Sequence, residues 1–135
     1  MAMSLQEKFE YWLDAAQYDL HTAEAMLASG RWLYVIFMCQ QAIEKLAKGL
    51  YTLYIDDDTP RIHNIRAIFE FFEDRLPIRI SEENLAFFDA LSGHYLNNRY
   101  PDFKRKLNSQ ADEAKAAATC SKTQEAFAWL LTLKP

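Results

Sequence analysis

The chain has 135 residues, half of them hydrophobic and a quarter charged, and its formal net charge is −4. This length predicts a single domain over residues 1–135, and the hydrophobic share argues against intrinsic disorder. The three glycines and four prolines are too few for the turns of a β-sandwich or barrel, and the acidic balance argues against non-specific binding of nucleic acid.

The first half of the sequence predicts two long helices joined by a tight turn. Ser4 and Glu7 have the spacing of a capping box, and apolar residues then recur every three or four positions, which predicts helix 1 over about residues 5–28. Gly30 follows as a suitable helix-ending residue. The same apolar spacing resumes and predicts helix 2 over about residues 31–55. The two helices are expected to form a hairpin.

The second half predicts three shorter helices. Helix 3 is expected from about residue 63 to Pro77, which prevents its continuation. Helix 4 is expected to start after the N-cap Ser81 and to continue to a bend at Pro101, and helix 5 to start near Ser109. Short connections between all these elements predict an all-α, up-and-down bundle of four to five helices.

The sequence lacks the patterns that are typical of zinc sites, membrane spans and secreted proteins. Cys39 and Cys120 have no zinc-type spacing, so we expect two buried, reduced thiols in a cytoplasmic protein. The longest apolar run, residues 33–39, is too short to cross a membrane, and the N-terminus has no signal-peptide core. No motif for a cofactor or a metal ion is present.

Helix 2 carries a polar stripe formed by Gln40, Glu44 and Lys48, which are spaced four residues apart. The spacing favours a solvent-exposed face with a Glu44–Lys48 pair contributing about 0.2–0.5 kcal/mol. The alternative is a stripe that faces a cleft or a subunit partner.

The segment 95–102 combines Tyr95, Arg99, Tyr100 and Asp102 beside Pro101. Arg99 could brace the end of its own helix and pair with Asp102, or it could present its guanidinium to a phosphate. Residues 99–106 contain four basic and one acidic residue, so this part of an acidic chain is locally positive. A small anionic ligand or a short nucleic-acid contact would fit such a patch, and so would a solvated basic loop.

Taken in chain order, four sets of residues resemble the HEPN family (higher eukaryotes and prokaryotes nucleotide-binding) in its minimal, stand-alone form. The resemblance covers about residues 8–131. The matching residues are Ala16, Asp19, Leu20 and Ala23; Gln40, Gln41, Ala42, Glu44, Lys45 and Lys48; Pro60, His63, Asn64 and Ile65; and Tyr95, Arg99, Tyr100, Pro101 and Asp102.

This resemblance implies a helical bundle that forms homodimers. The aromatic content of the chain makes Trp12 and Trp32, near the ends of helix 1, candidates for the dimer face. The resemblance also implies nucleotide binding, and many members are RNase toxins paired with a minimal nucleotidyltransferase. The nuclease members have an Arg, four to six residues and then a His: the Arg steadies a phosphate and the His moves the proton of a 2′-hydroxyl. No arginine of this chain is followed by a histidine at that spacing.

Three functional hypotheses remain open at this stage. The first is a HEPN-like module that binds a nucleotide or a nucleic-acid phosphate through Arg99, Tyr100, Asp102, Tyr95 and His63, and that acts with a nucleotidyltransferase in a toxin–antitoxin-like system. The second is an atypical, metal-independent RNase that uses Arg99 together with His63 as the catalytic residue. The third is a non-catalytic, dimeric scaffold that docks a partner protein.

Overall fold

A computed structural model of the chain describes residues 2–55, 58–95, 105–106, 109 and 111–135, and within these residues it is all-helical. The elements are α1 (Leu5–Ala28), α2 (Trp32–Ile55), α3 (Ile65–Glu70), a 3₁₀ turn (Glu73–Arg75), α4 (Glu82–Ser92) and α5 (Glu113–Leu131). The predicted all-α bundle with two long N-terminal helices is therefore confirmed.

Helix α1 begins and ends where its local sequence predicts. The Ser4 side chain accepts a hydrogen bond from the backbone N–H of Glu7, and the Glu7 side chain accepts one from the N–H of Ser4. These hydrogen bonds, led by the one from the Ser4 backbone, lower the pKa of Glu7. Gly30 has a φ of +75° in the turn to α2, a conformation that disfavours side chains with a Cβ. The two long helices then pack closely against each other.

Helix α2 is the centre of the bundle, because α1, α3, α4 and α5 all pack against it. Fifteen of its residues are buried, so it is covered on nearly all sides rather than along one stripe. The core around it is completed by fully buried rings from the other elements: Phe9, Phe69, Phe72 and Phe88.

The two cysteines contact each other inside this core and connect α2 with α5. Cys39 and Cys120 are both buried and free, as the sequence predicts. The side-chain contact with Cys120 and the burial of Cys39 raise the pKa of the Cys39 thiol well above its usual range. Cys39 is therefore protonated and unreactive at neutral pH.

Three helix boundaries differ from the prediction. Helix α3 ends at Glu70, and a separate 3₁₀ turn fills the interval before Pro77. Helix α4 ends at Ser92 and not at the proline bend, because the chain tightens into three-residue turns, in which the N–H groups of His94 and Tyr95 bond to Leu91 and Ser92. Helix α5 begins at Glu113, where Asp112 caps it, rather than near Ser109.

No helix in the described part of the chain combines the length and the apolar character that a membrane span requires.

Candidate functional site

The polar stripe of α2 is buried, so the predicted solvent-exposed face is wrong. Gln40, Glu44 and Lys48 expose only 0%, 4% and 7% of their surface. The stripe lies on a side of α2 that other parts of the bundle cover. A spacing of four residues is the same on a buried side and on a solvent-exposed side, so it could not reveal the burial. The predicted pair between Glu44 and Lys48 does form, with Nζ 3.2 Å from Oε2.

The Glu44 carboxylate is the centre of a buried polar cluster. It accepts hydrogen bonds from Gln40 Nε2 at 2.8 Å and from Lys48 Nζ at 3.2 Å. The Nδ1 atom of His63 lies 3.2 Å from both of its oxygens. A buried carboxylate is stable only when its charge and its lone pairs are satisfied in this way.

His63 is held in one orientation by contacts on three sides. Its Nδ1 meets Glu44, its backbone carbonyl accepts a hydrogen bond from Gln40 Nε2 at 3.2 Å, and its ring stacks on Tyr95 with 3.9 Å between centroids and 11° between planes. Asn64, the next residue, caps α3. The His63 side chain is nonetheless 46% exposed, and its Nε2 has no hydrogen-bond partner among the described residues. One ring nitrogen is thus anchored while the other is available to a ligand.

The structure brings two of the predicted site residues together and does not describe the other three. His63 precedes α3, whereas Tyr95 follows α4, and their rings are in direct contact. Arg99, Tyr100 and Asp102 lie outside the described residues, so their predicted roles remain predictions.

A second contact joins the helix 1 and helix 2 motifs. Lys45 Nζ lies 2.5 Å from Asp19 Oδ2, and Asp19 is only 6% exposed. Residues that carry the family resemblance on α1 and on α2 therefore contact each other, and the pair joins the two helices.

An open cavity of about 640 Å³ lies beside His63, between α1, α2 and the segment 58–63. We call it the α1–α2 cleft, and its described lining consists of Met3, Lys8, Tyr11, Trp12, Lys48, Thr52, Asp58, Thr59, Pro60, Arg61 and His63. The described lining contains three cationic side chains and one carboxylate, and one of the cations, Lys48, is already paired with the buried Glu44. Within the described ranges, no three His, Cys, Asp or Glu side chains cluster as a metal site would require.

The cleft also contains an aromatic pair. The Tyr11 and Trp12 rings meet edge to face, with 5.8 Å between centroids, and Lys48 Nζ lies 5.9 Å from the centre of the Trp12 ring. Gly49 permits this arrangement, because a Cβ on it would lie 3.0 Å from the Cβ of Trp12. The close approach of α1 to α2 at Gly49 places the indole beside the buried lysine.

Glu44, Lys48 and Arg61 were not among the site residues predicted from the sequence, although a polar stripe facing a cleft was an open alternative for the first two. Trp12 was predicted only as a candidate for a dimer face. A signal for the first two was present: three polar residues recur every four positions in a helix that is otherwise mostly apolar. Such residues are buried together when the helix is central, and they then need one another as partners. Nothing local to Arg61 distinguishes it from an ordinary loop residue.

Comparison with known proteins identifies, over most of the chain, the family that the sequence resembles. Residues 9–131 match the family model described as HEPN domain. TT1696 from Thermus thermophilus has a similar structure, with a TM-score of 0.76 and 21% identity over 93% of this chain and 97% of that one. ST0689, an archaeal HEPN homologue, has a TM-score of 0.72 and 22% identity over 94% and 98% of the two chains. No curated protein is significantly similar in sequence.

Proposed function

Because this chain belongs to the HEPN domain family, we propose that it is a module that binds a nucleotide or a nucleic-acid phosphate beside His63. The observation that carries the proposal is the fixed orientation of His63 between Glu44 and Tyr95, next to a cleft that the exposed Arg61 also lines. With Nδ1 bonded to the Glu44 carboxylate, the imidazolium form of this oriented ring can donate a hydrogen bond from Nε2 to a phosphate oxygen without losing further side-chain freedom.

Arg99 is the proposed phosphate ligand from the second segment, with Tyr100 and Asp102 beside it. It follows Tyr95 by four positions in the sequence, and Tyr95 stacks on His63. A guanidinium binds phosphate through two parallel hydrogen bonds, which a lysine cannot match. In this proposal, Asp102 holds the guanidinium in place.

We expect Arg99→Ala to weaken nucleotide or RNA binding about tenfold, because it removes a charge-assisted contact to phosphate. Isothermal titration of ATP, AMP and a short single-stranded RNA into both proteins measures this. Arg31→Ala, an exposed arginine in the turn before α2, is the matched control and should bind like the wild type. Equal, negligible binding by wild type and Arg99→Ala would remove the proposed function.

The proposed biological setting is a homodimer that works with a nucleotidyltransferase partner in a toxin–antitoxin-like system. It rests on the family resemblance and on the absence of the nuclease spacing from this sequence. A small nucleotidyltransferase encoded beside this chain, and its co-purification with the tagged protein, would support this setting. A monomer by size-exclusion chromatography with light scattering would refute the dimer.

A second candidate function is a metal-independent RNase, and the geometry of His63 favours it. A carboxylate on Nδ1 leaves Nε2 to exchange a proton, which is the arrangement a general base requires. In that case the wild type cleaves RNA in the presence of a chelator, and His63→Ala lowers the rate at least about a hundredfold. His94→Ala serves as the control, because His94 lies in the turn after α4 and its Nδ1 bonds to the backbone carbonyl of Ala90. Intact RNA after incubation with concentrated wild-type protein eliminates this candidate.

A further inference from the structure

We propose that the α1–α2 cleft binds a free nucleotide, with its base against Tyr11 and Trp12 and its phosphate held by Arg61 and His63. The inference rests on the proposed function and deepens it, because it names the ligand as a mononucleotide and adds residues that neither the motifs nor the segment 95–102 contain.

The aromatic side of the cleft is suited to a planar base. Tyr11 is 64% exposed although it is a large ring beside the bundle core, and it stands edge-on to the half-buried Trp12. A base that enters the cleft can cover both rings, and stacking on an aromatic side chain is tolerant of base identity. Lys48 contributes a fixed positive charge near the indole, and its buried ion pair with Glu44 holds it there.

The polar side of the cleft is suited to a phosphate. The Arg61 guanidinium is exposed and has no ion-pair partner among the described residues, so it can bind an anion without breaking an existing contact. The free Nε2 of His63 lies in the same lining and is a second donor in the imidazolium form of the ring. Two carboxylates, Asp58 in the lining and Glu44 behind Lys48, face the three cations Lys8, Lys48 and Arg61.

The size of the cleft favours a small molecule over a nucleic-acid chain. Its 640 Å³ lies within the range of about 300–1,000 Å³ that is typical of small-molecule sites. The mixture of apolar aromatic lining and a few charged groups is also typical of such sites, whereas a surface that binds a polynucleotide presents an extended basic stripe.

The test is a titration of AMP, ATP, ribose 5-phosphate and inorganic phosphate into the wild type and two exposed-residue variants. Tyr11→Ala and Arg61→Ala should each weaken AMP binding about tenfold. Wild type should bind AMP about tenfold more tightly than ribose 5-phosphate, and Tyr11→Ala should abolish that preference, because the preference comes from the base.

Two matched controls exclude general effects of removing an aromatic ring or a charge. Tyr18→Ala removes a tyrosine that lies seven residues further along α1, is 74% exposed and does not line the cleft. Arg79→Ala removes an exposed arginine that lies outside the cleft. Both should bind AMP as the wild type does, and circular dichroism should show the same helicity for all variants.

The possible results separate this inference from the proposed function. If the wild type binds nucleotides but Tyr11→Ala and Arg61→Ala bind equally well, the cleft is not the site, whereas a loss with Arg99→Ala still supports the proposed function. If RNA binds and no mononucleotide does, the mononucleotide inference is overturned and the proposed function stands. Failure to bind either ligand overturns both.

Discussion

Glu44→Ala is expected to reduce the free energy of unfolding by about 3–5 kcal/mol. The substitution leaves the Lys48 ammonium buried without its counter-charge and removes the hydrogen-bond acceptor of Gln40 and His63. Taking away one partner of a buried ion pair is more destabilising than removing both, because the remaining charge has lost its water and its partner. Urea denaturation followed by circular dichroism of the helical signal measures the change.

The double variant Glu44→Leu with Lys48→Met tests whether the uncompensated charge causes this loss. Because it removes both charges and keeps their volume, it should recover at least half of the stability lost in Glu44→Ala. Lys122→Ala breaks the exposed ion pair with Glu83 and should change stability by about 0.5 kcal/mol or less. If Glu44→Ala remained within about 1 kcal/mol of the wild type, the carboxylate would not be the centre of the cluster.

Phe69→Ala is expected to cost about 3–5 kcal/mol, because it creates a cavity in the core between α3 and α4. The Phe69 ring is completely buried and packs on Phe72 and Phe88, with centroid distances of 5.6 and 5.7 Å. The same packing anchors the end of α3, the short helix that follows His63. Phe69→Ala should therefore unfold at a clearly lower urea concentration than the wild type.

Phe71→Ala provides the comparison within the same segment. This ring is 55% exposed and makes an edge contact with Tyr51. Because its removal opens no internal cavity, stability should change by about 0.5 kcal/mol. Similar losses for Phe69→Ala and Phe71→Ala would contradict the assignment of the core.

The helices of this protein follow from short-range signals in the sequence. The reciprocal hydrogen bonds of Ser4 and Glu7 start α1, Gly30 forms the hairpin turn, and each acts within a few residues. Helix 4 was predicted too long because the apolar spacing continued past Ser92, whereas the chain turns there through three-residue hydrogen bonds. The spacing of the apolar residues alone does not show that the helix ends at this turn.

The cleft, by contrast, could not be predicted from local sequence. Trp12, Lys48 and Arg61 come from three different segments, and Gly49 brings the first two together by allowing α1 and α2 to approach. Stacking of His63 on Tyr95 likewise joins residues on either side of α3 and α4. Only long-range packing creates such neighbours.

The sequence by itself determined an all-helical bundle, its first helix to the residue, and the family, because caps, apolar periodicity and ordered motifs are local properties. The tertiary structure alone decided that Gln40, Glu44 and Lys48 are buried and that Glu44 orients His63. The reason is physical: a polar stripe has the same spacing whether it faces water or protein, and its environment depends on how many other helices surround it.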